Sequence, residues 1–172
     1  MKVENECAAL VDISLIVRLF IRKALFDVGC LLRGGISFGE LHLGKNSILG
    51  PALIRAYEIE SSEAIYPRVI IDSSLEMLFK NCTDENVHNS FYSIFQYDFD
   101  NRLYVRYSLT DLIYNHENFK YTISSIDDLL HRMLIKAKNQ SVIQKYAWWV
   151  NAMNKELEKE GISERLTNIR IT

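Results

Sequence analysis

The N-terminal region has an apolar pattern with few interruptions, and this pattern predicts one helix over residues 4–29. Ser14, Arg18 and Arg22 lie four residues apart and form a narrow polar face. Most of the remaining surface is apolar and includes Ile13, Ile16, Val17, Phe20, Ala24 and Leu25. We therefore expect a mostly buried helix that packs against a sheet or a partner subunit. Gly29 is the predicted stop.

Glycines interrupt the next apolar segment, residues 31–43, which is predicted to be a strand or hairpin. A turn follows at residues 44–47, and then a brief extended segment at Ile48 and Leu49. Gly50 and Pro51 open a helix to about residue 60, because proline at the first helical position costs no hydrogen bond. Residues 66–72 then form a predicted buried strand.

The C-terminal half alternates polar segments with aromatic and amphipathic ones. Ser73 and Glu76 have capping-box spacing and start a predicted helix to residue 80. Residues 81–89 are predicted as a polar loop, and residues 91–107 as an aromatic hairpin with its turn at 98–101. Ser125, with Asp128, is the predicted cap of a helix to residue 139. A last helix spans residues 141–160, and a loose polar tail follows at 161–172. This helix carries an apolar stripe at Ile143, Tyr146, Ala147, Val150, Met153 and Leu157.

This order of elements predicts an α+β fold with one sheet covered by helices. No internal repeat or domain boundary is visible, so residues 1–172 are interpreted as a single domain. Trp148 and Trp149 are adjacent and point to different sides of the last helix; we expect one in the core and the other at an interface.

Composition and charge exclude several classes of function. The net charge of −2 provides no electrostatic attraction for nucleic acid. Three widely spaced cysteines predict neither disulfides nor zinc, which favours a cytoplasmic location, and the four histidines share no ligand spacing. Charged residues interrupt the first apolar segment, so we expect no membrane span.

Two glycine-punctuated motifs carry a resemblance to a known family. They are RGGISFGEL, residues 33–41, and GPALIRAYEIES, residues 50–61. The chain resembles the catalytic domain of class III nucleotide cyclases in six positions: Arg33, Gly34, Gly39, Gly50, Ala56 and Glu60. The residues of these two motifs, together with IYPRVIID at 65–72 and KYAWWVNAMN at 145–154, are similar to the sequences of a divergent bacterial branch of the family. That branch includes pyrimidine cyclases of anti-phage signalling.

The resemblance implies a fold and a reaction. The fold would be a ferredoxin-like class III cyclase core, with helices on a mostly antiparallel sheet and extra C-terminal helices. The 3′-hydroxyl of a nucleoside triphosphate, with UTP and CTP as candidates, would attack its own α-phosphate to give a 3′,5′-cyclic nucleotide and pyrophosphate. Mn²⁺ or Mg²⁺ would be the cofactor, and a homodimer the working unit.

The sequence also departs from the family pattern. The family's two metal-binding aspartates precede its long helix, whereas here Met1 comes just before that helix, and Asp12 and Asp27 fall within it. We therefore expect a domain without its first strands, with no metal ligand among these residues and no activity of its own. The helix positions for the family's asparagine and arginine hold Ile54 and Glu58.

Five residues are the nucleotide-binding candidates that the resemblance implies, and no catalytic residue is assigned: Arg33, Ser47, Ile54, Arg55 and Tyr57. Ser47 replaces a purine-recognising aspartate, which is compatible with a pyrimidine and equally with decay of the site. Arg33 could contact a phosphate or form a structural ion pair, and Arg55 could contact a triphosphate or remain solvated. Tyr57 could stack on a base or pack in the fold.

Three further readings stay open. The paired Asp98 and Asp100 fit either a metal site or turn chemistry. The chain could be a non-catalytic nucleotide-binding or dimerisation module that keeps the cyclase fold. It could also be an unrelated α+β domain that binds a protein through its apolar first helix.

Overall fold

The computed structural model describes residues 2–109, 116–137 and 139–169. These residues form a mixed, mostly helical structure with two small sheets, which confirms the predicted α+β class. The helices are α1 (Lys2–Lys23), α2 (Pro51–Glu58), α3 (Ser73–Lys80), α4 (Glu85–Ile94), α5 (His116–Lys136) and α6 (Gln140–Lys159). The strands are β1 (Gly34–Ile36), β2 (His42–Leu43), β3 (Ile48–Leu49), β4 (Val69–Ile71), β5 (Phe95–Tyr97) and β6 (Leu103–Val105). Two π-helical turns, Ala24–Val28 and Ile59–Glu63, extend α1 and α2.

The larger sheet has the strand order β1-β4-β6-β5. β1 runs parallel to β4, with Gly34 opposite Val69 and Ile36 opposite Ile71, and the other two pairings are antiparallel. The parallel pair encloses α2 in a β-α-β connection, as parallel neighbours require. All three residues of β4 are buried, which matches the apolar run predicted as a strand. The second sheet is the β2-β3 hairpin.

The chain divides into two compact units. One comprises the chain up to Phe20 together with Leu32–Arg106, and therefore holds both sheets. The other comprises Ile21–Leu31 and the chain from Tyr107 onward. The sequence shows no boundary at these points, and the single-domain interpretation of residues 1–172 stays a prediction.

Helix α1 ends as predicted, because its π-helical extension stops at Gly29. The predicted polar face of this helix is wrong, whereas the predicted burial of Ala24 and Leu25 is confirmed, and burial against a partner subunit stays a prediction. Ser14 and Arg18, members of the predicted polar face, are buried, whereas Ile16, Leu19 and Phe20 are exposed. Arg18 donates a hydrogen bond to the carbonyl oxygen of Ser93 at 2.7 Å, which accounts for one charged group on the inner face. The apolar surface of α1 is therefore largely solvent-exposed.

Three predicted boundaries are corrected. Residues 85–94 form α4, capped by the Asp84 carboxylate, so the predicted loop is wrong over 85–89 and the predicted hairpin is wrong over 91–94. The rest of the hairpin is confirmed, because β5 pairs antiparallel with β6 around the predicted turn. Asp72 caps α3 in place of Ser73, because its carboxylate accepts from the Ser74 amide at 2.9 Å. Ser125 lies inside α5, which is helical from His116.

Helix α6 and the segment after it form part of the second unit's core. The predicted stripe is confirmed at Ala147, Val150, Met153 and Leu157, and Trp149 is fully buried with its ring 5.4 Å from Tyr107. The described part of the tail is bound where a loose segment was predicted. Leu166 is buried and its backbone pairs with Asn154, while Thr167 pairs with Asp127. Residues 170–172 of the predicted tail lie outside the described residues.

Candidate functional site

The candidate nucleotide residues surround one local unit, formed by β1, the β2-β3 hairpin and α2. Helix α2 and its π-helical turn lie directly against β1. A Cβ atom at position 35 would lie 2.6 Å from Ile59 Cβ and 2.7 Å from the Ala56 carbonyl oxygen, so only glycine allows this approach. A hydrogen bond also joins α2 to the residue after β1, because the Ser37 hydroxyl donates to the Ala52 carbonyl oxygen at 2.5 Å. The motif glycine Gly35 thus fixes the helix on the strand.

The start of α2 requires a second glycine. Gly50 has φ of 154°, and a Cβ there would lie 3.0 Å from Leu41 Cα. Its backbone therefore runs against the chain that enters the hairpin, and Pro51 begins the helix immediately after it. The two motif segments meet at this point, because the Ala52 amide also donates to the Glu40 carbonyl oxygen at 3.4 Å.

Arg55 is held by carboxylates. Its Nε lies 2.5 Å from Asp72 Oδ2, and its Nη1 lies 2.7 Å from Glu63 Oε1 and 3.6 Å from Glu58 Oε2. The hydrogen bonds to Asp72 and then Glu63 raise the pKa of Arg55. Glu63 also binds Arg102, 2.7 Å away, so it bridges two guanidinium groups. Arg55 is therefore held in an ion-pair network, and its contact with a triphosphate stays a prediction.

Asp72 is the centre of this network. It follows β4 directly, caps α3 through the Ser74 amide and hydroxyl, and binds Arg55. Burial acts to raise the pKa of Asp72, but the hydrogen bonds from Ser74 and Arg55 outweigh it and lower the pKa below its usual value. Asp72 therefore stays ionised and ties α2, β4 and α3 together.

The remaining candidates have simpler surroundings. Arg33 Nε lies 2.6 Å from Glu60 Oε1, which is the structural ion pair considered from sequence. Ser47 lies in the hairpin turn, where its carbonyl oxygen accepts from the Gly44 amide at 2.8 Å. Ile54 and Tyr57 are both exposed on α2, so Tyr57 is not the packed aromatic of the alternative reading. Within the described residues, no hydrogen bond or ion pair joins any two of the five candidates.

The aspartate pair in the β5-β6 turn has a structural role. Asp98 and Asp100 both bind the guanidinium of Arg68, whose side chain is completely buried; one of these bonds, from Nη1 to Asp100 Oδ1, measures 2.9 Å. The hydrogen bond from Arg68 is also the main reason why the pKa of Asp100 is lowered. Both carboxylates also accept from backbone amides of their own turn, as turn chemistry predicts.

Sequence reasoning missed Asp72, Glu63 and Arg68. Asp72 carried a signal, since a carboxylate directly after a buried strand and before a helix is a strong capping position. Arg68 carried another, because an arginine inside the apolar run 66–72 must find charged partners when it is buried. Nothing in the local sequence indicated which carboxylates these would be.

The described residues do not fit a resident Mg²⁺ or Mn²⁺ ion. They contain no group of three or more histidine, cysteine, aspartate or glutamate side chains able to hold one, and the carboxylates around Arg55 and Arg68 already bind these arginines.

No helix in the described part of the chain has the length and apolar character to cross a bilayer.

Comparison with protein-family models, with curated proteins and with solved structures finds no match to this chain.

Proposed function

We propose that this chain is a nucleotide cyclase-type domain with a ferredoxin-like core. It would bind a nucleoside triphosphate, with UTP and CTP as first candidates, and act in the formation of a 3′,5′-cyclic nucleotide and pyrophosphate in bacterial anti-phage signalling. The working unit would be a homodimer. The observation that supports the proposal is that Gly35 and Gly50, one in each of the two motifs, lie where a Cβ atom would clash with its neighbours. The two motifs that resemble the class III cyclases therefore form one packed unit.

Tyr57 is the best probe of nucleotide binding. Its ring is exposed on α2, and it takes part in none of the ion pairs around Arg55. A base stacked on it would gain about 1–3 kcal/mol. Arg55 is a poorer probe, because its removal would also break the contacts to Asp72 and Glu63.

The test is calorimetric titration of the full chain with UTP, CTP, ATP and GTP in the presence of Mn²⁺, with chromatography of the products. We expect one triphosphate to bind and Tyr57→Ala to weaken that binding about tenfold. Tyr121→Ala is the matched control, since Tyr121 is an equally exposed tyrosine on a different helix. Failure of all four triphosphates to bind, or equal losses in both variants, would contradict the proposal.

A non-catalytic nucleotide-binding module is the second candidate. Arg33 and Arg55 are both paired with carboxylates of their own chain, so a triphosphate must compete with Glu60, Glu63 and Asp72 for them. Binding of a triphosphate with no cyclic product in the same titrations would favour this candidate. Formation of a cyclic product would exclude it.

A further inference from the structure

Helix α1 has an apolar stripe on the side that faces away from its buried residues. The buried positions are Cys7, Leu10, Ser14 and Arg18. The exposed stripe, here called the outer stripe, consists of Ala9, Ile13, Ile16 and Phe20. At about 100° per residue, these four residues fall within about 60° of one another, centred about 130° from the buried set. Ile13, Ile16 and Phe20 are 50%, 65% and 66% exposed, so the rest of the chain leaves this stripe uncovered.

A groove with a volume of about 280 Å³ lies at the N-terminal end of the outer stripe. Ala9 and Ile13 line it from α1, and Ile36, Phe38 and Leu75 line it from the end of β1, the segment after it and α3. The groove is open at position 9 because alanine has only a methyl side chain. Pockets for drug-sized molecules have volumes of about 300–1,000 Å³, so a groove of this size suits one or two side chains of a larger partner.

Two carboxylates flank this end of the outer stripe. Glu6 lines the groove, and Asp12 is exposed on the other side of Ala9. At about 100° per residue, each of them lies about 60° from Ala9, in opposite directions around the helix. A partner that covers the stripe therefore contacts acidic groups on both sides of its apolar residues. Basic side chains on the partner would complement these groups.

We infer that the outer stripe and the groove bind an amphipathic helix of a partner protein, whose apolar face is flanked by lysine or arginine. The residues of the outer stripe are four, three and four positions apart. This spacing repeats every seven residues and receives the side chains of a facing helix. One large apolar side chain of the partner would fill the groove at Ala9, with basic residues beside Glu6 and Asp12. The inference does not depend on nucleotide binding.

The charges of α1 argue against two other occupants. Helices that lie on membrane surfaces carry lysine and arginine beside their apolar face, whereas α1 carries Glu6 and Asp12 there. Anionic lipids would repel these carboxylates. A second copy of α1 in parallel alignment would bring two identical pairs of carboxylates together, which is also unfavourable.

The experiment measures the binding of two labelled synthetic peptides to the full chain by fluorescence anisotropy. Each peptide is a helix of about 18 residues with the same stripe of leucine and one phenylalanine. Lysines flank the stripe in one peptide, and glutamates replace these lysines in the other. We expect the lysine peptide to bind about tenfold more tightly at low salt, with a smaller difference at high salt, because exposed charge pairs are weak and screened.

Filling the groove tests where the peptide binds. Ala9→Trp should weaken binding of the lysine peptide about thirtyfold, because the indole occupies the space for the partner's large side chain. Ala8→Trp is the matched control, since Ala8 is the neighbouring exposed alanine and is not among the residues that line the groove. This variant should keep the native affinity. Circular dichroism checks that both variants retain their helices.

Charge reversal provides a second test that leaves the groove open. In the double variant Glu6→Lys, Asp12→Lys, the preference should invert, so that the glutamate peptide binds more tightly than the lysine peptide. Failure of the native chain to bind the lysine peptide, equal losses in the two tryptophan variants, or a preference that does not invert would each overturn the inference.

Two further measurements detect the other occupants. Sedimentation equilibrium of the native chain and of Ile16→Asp detects self-association through the outer stripe. Flotation of both with phosphatidylserine-containing vesicles detects lipid binding. A dimer that Ile16→Asp dissociates, or vesicle binding that Ile16→Asp abolishes, would show that a second copy or a lipid surface covers the stripe, and would overturn the inference.

Discussion

Helices α1 and α6 have similar lengths, yet they place their apolar residues in opposite ways. The stripe of α6 recurs every three or four residues and is buried at Ala147, Val150, Met153 and Leu157. Helix α1 instead buries Ser14 and Arg18 and exposes Ile16, Leu19 and Phe20. A narrow apolar stripe determines which side of a helix is buried. A helix that is apolar on most sides has no such stripe, so specific contacts determine which side is buried.

The largest expected difference between the two helices is in the free energy of unfolding. Trp149→Ala should lower it by about 3–5 kcal/mol, because the indole is fully buried against Tyr107. Phe20→Ala on α1 should change it by less than about 0.5 kcal/mol, because the Phe20 ring is exposed. Urea denaturation followed by circular dichroism measures both. Similar losses in the two variants would show that the apolar surface of α1 is covered.

The inner face of α1 provides the next test. Arg18→Ala should destabilise the chain by about 1.5–3 kcal/mol, since the buried guanidinium donates to the Ser93 carbonyl oxygen and a hydrogen bond to a charged group has about that value. Lys23→Ala on the same helix, which breaks only an exposed pair with Asp27, should leave the denaturation midpoint unchanged. If the two substitutions are equivalent, Arg18 does not determine which side of α1 faces inward.

The part of the structure that sequence could predict follows from this contrast. The sequence was sufficient to predict β4, α2, α6 and the turn at 44–47. Hydrophobic periodicity, glycine and proline each determine structure locally. The buried side of α1 was not predictable, because the bond from Arg18 reaches Ser93, far along the chain. The start of α4 was missed because Asp84 caps a helix whose polar N-terminal turn resembles a loop. At the candidate site, the sequence located the glycines but not the carboxylates that bind Arg33 and Arg55.

Acidification tests the two aspartates that pair with arginines beside the larger sheet: Asp72, which binds Arg55, and Asp100, which binds Arg68. Asp72 and Asp100 have lowered pKa values in the folded chain, so their contribution to stability is present above about pH 4, the unfolded aspartate pKa, and is lost as pH falls below it. The free energy of unfolding should therefore decrease on acidification. Asp100→Asn should flatten this decrease, and an unchanged pH profile would exclude Asp100 as a contributor.

The smallest expected effect concerns Ser14. Its hydroxyl is buried and has no hydrogen-bond partner in the described part of the chain. Ser14→Ala should therefore leave the free energy of unfolding within about 0.5 kcal/mol of the native value, or raise it slightly. Thermal unfolding measures this change. A loss above about 1 kcal/mol would reveal a partner for the hydroxyl.

The exposed segment Phe38–Leu49, which contains the β2-β3 hairpin, has a consequence for how this sequence can vary. A library selected only for folding should accept almost any residue at the exposed apolar positions of Phe38–Leu49. Position 35 should stay glycine because no side chain fits beneath α2, and position 39 should stay glycine because its φ is 156°. A library selected for biological activity should lose that tolerance wherever a ligand or partner contacts the segment. The difference between the two mutational profiles would map, residue by residue, the part of this segment that selection keeps for function and not for folding.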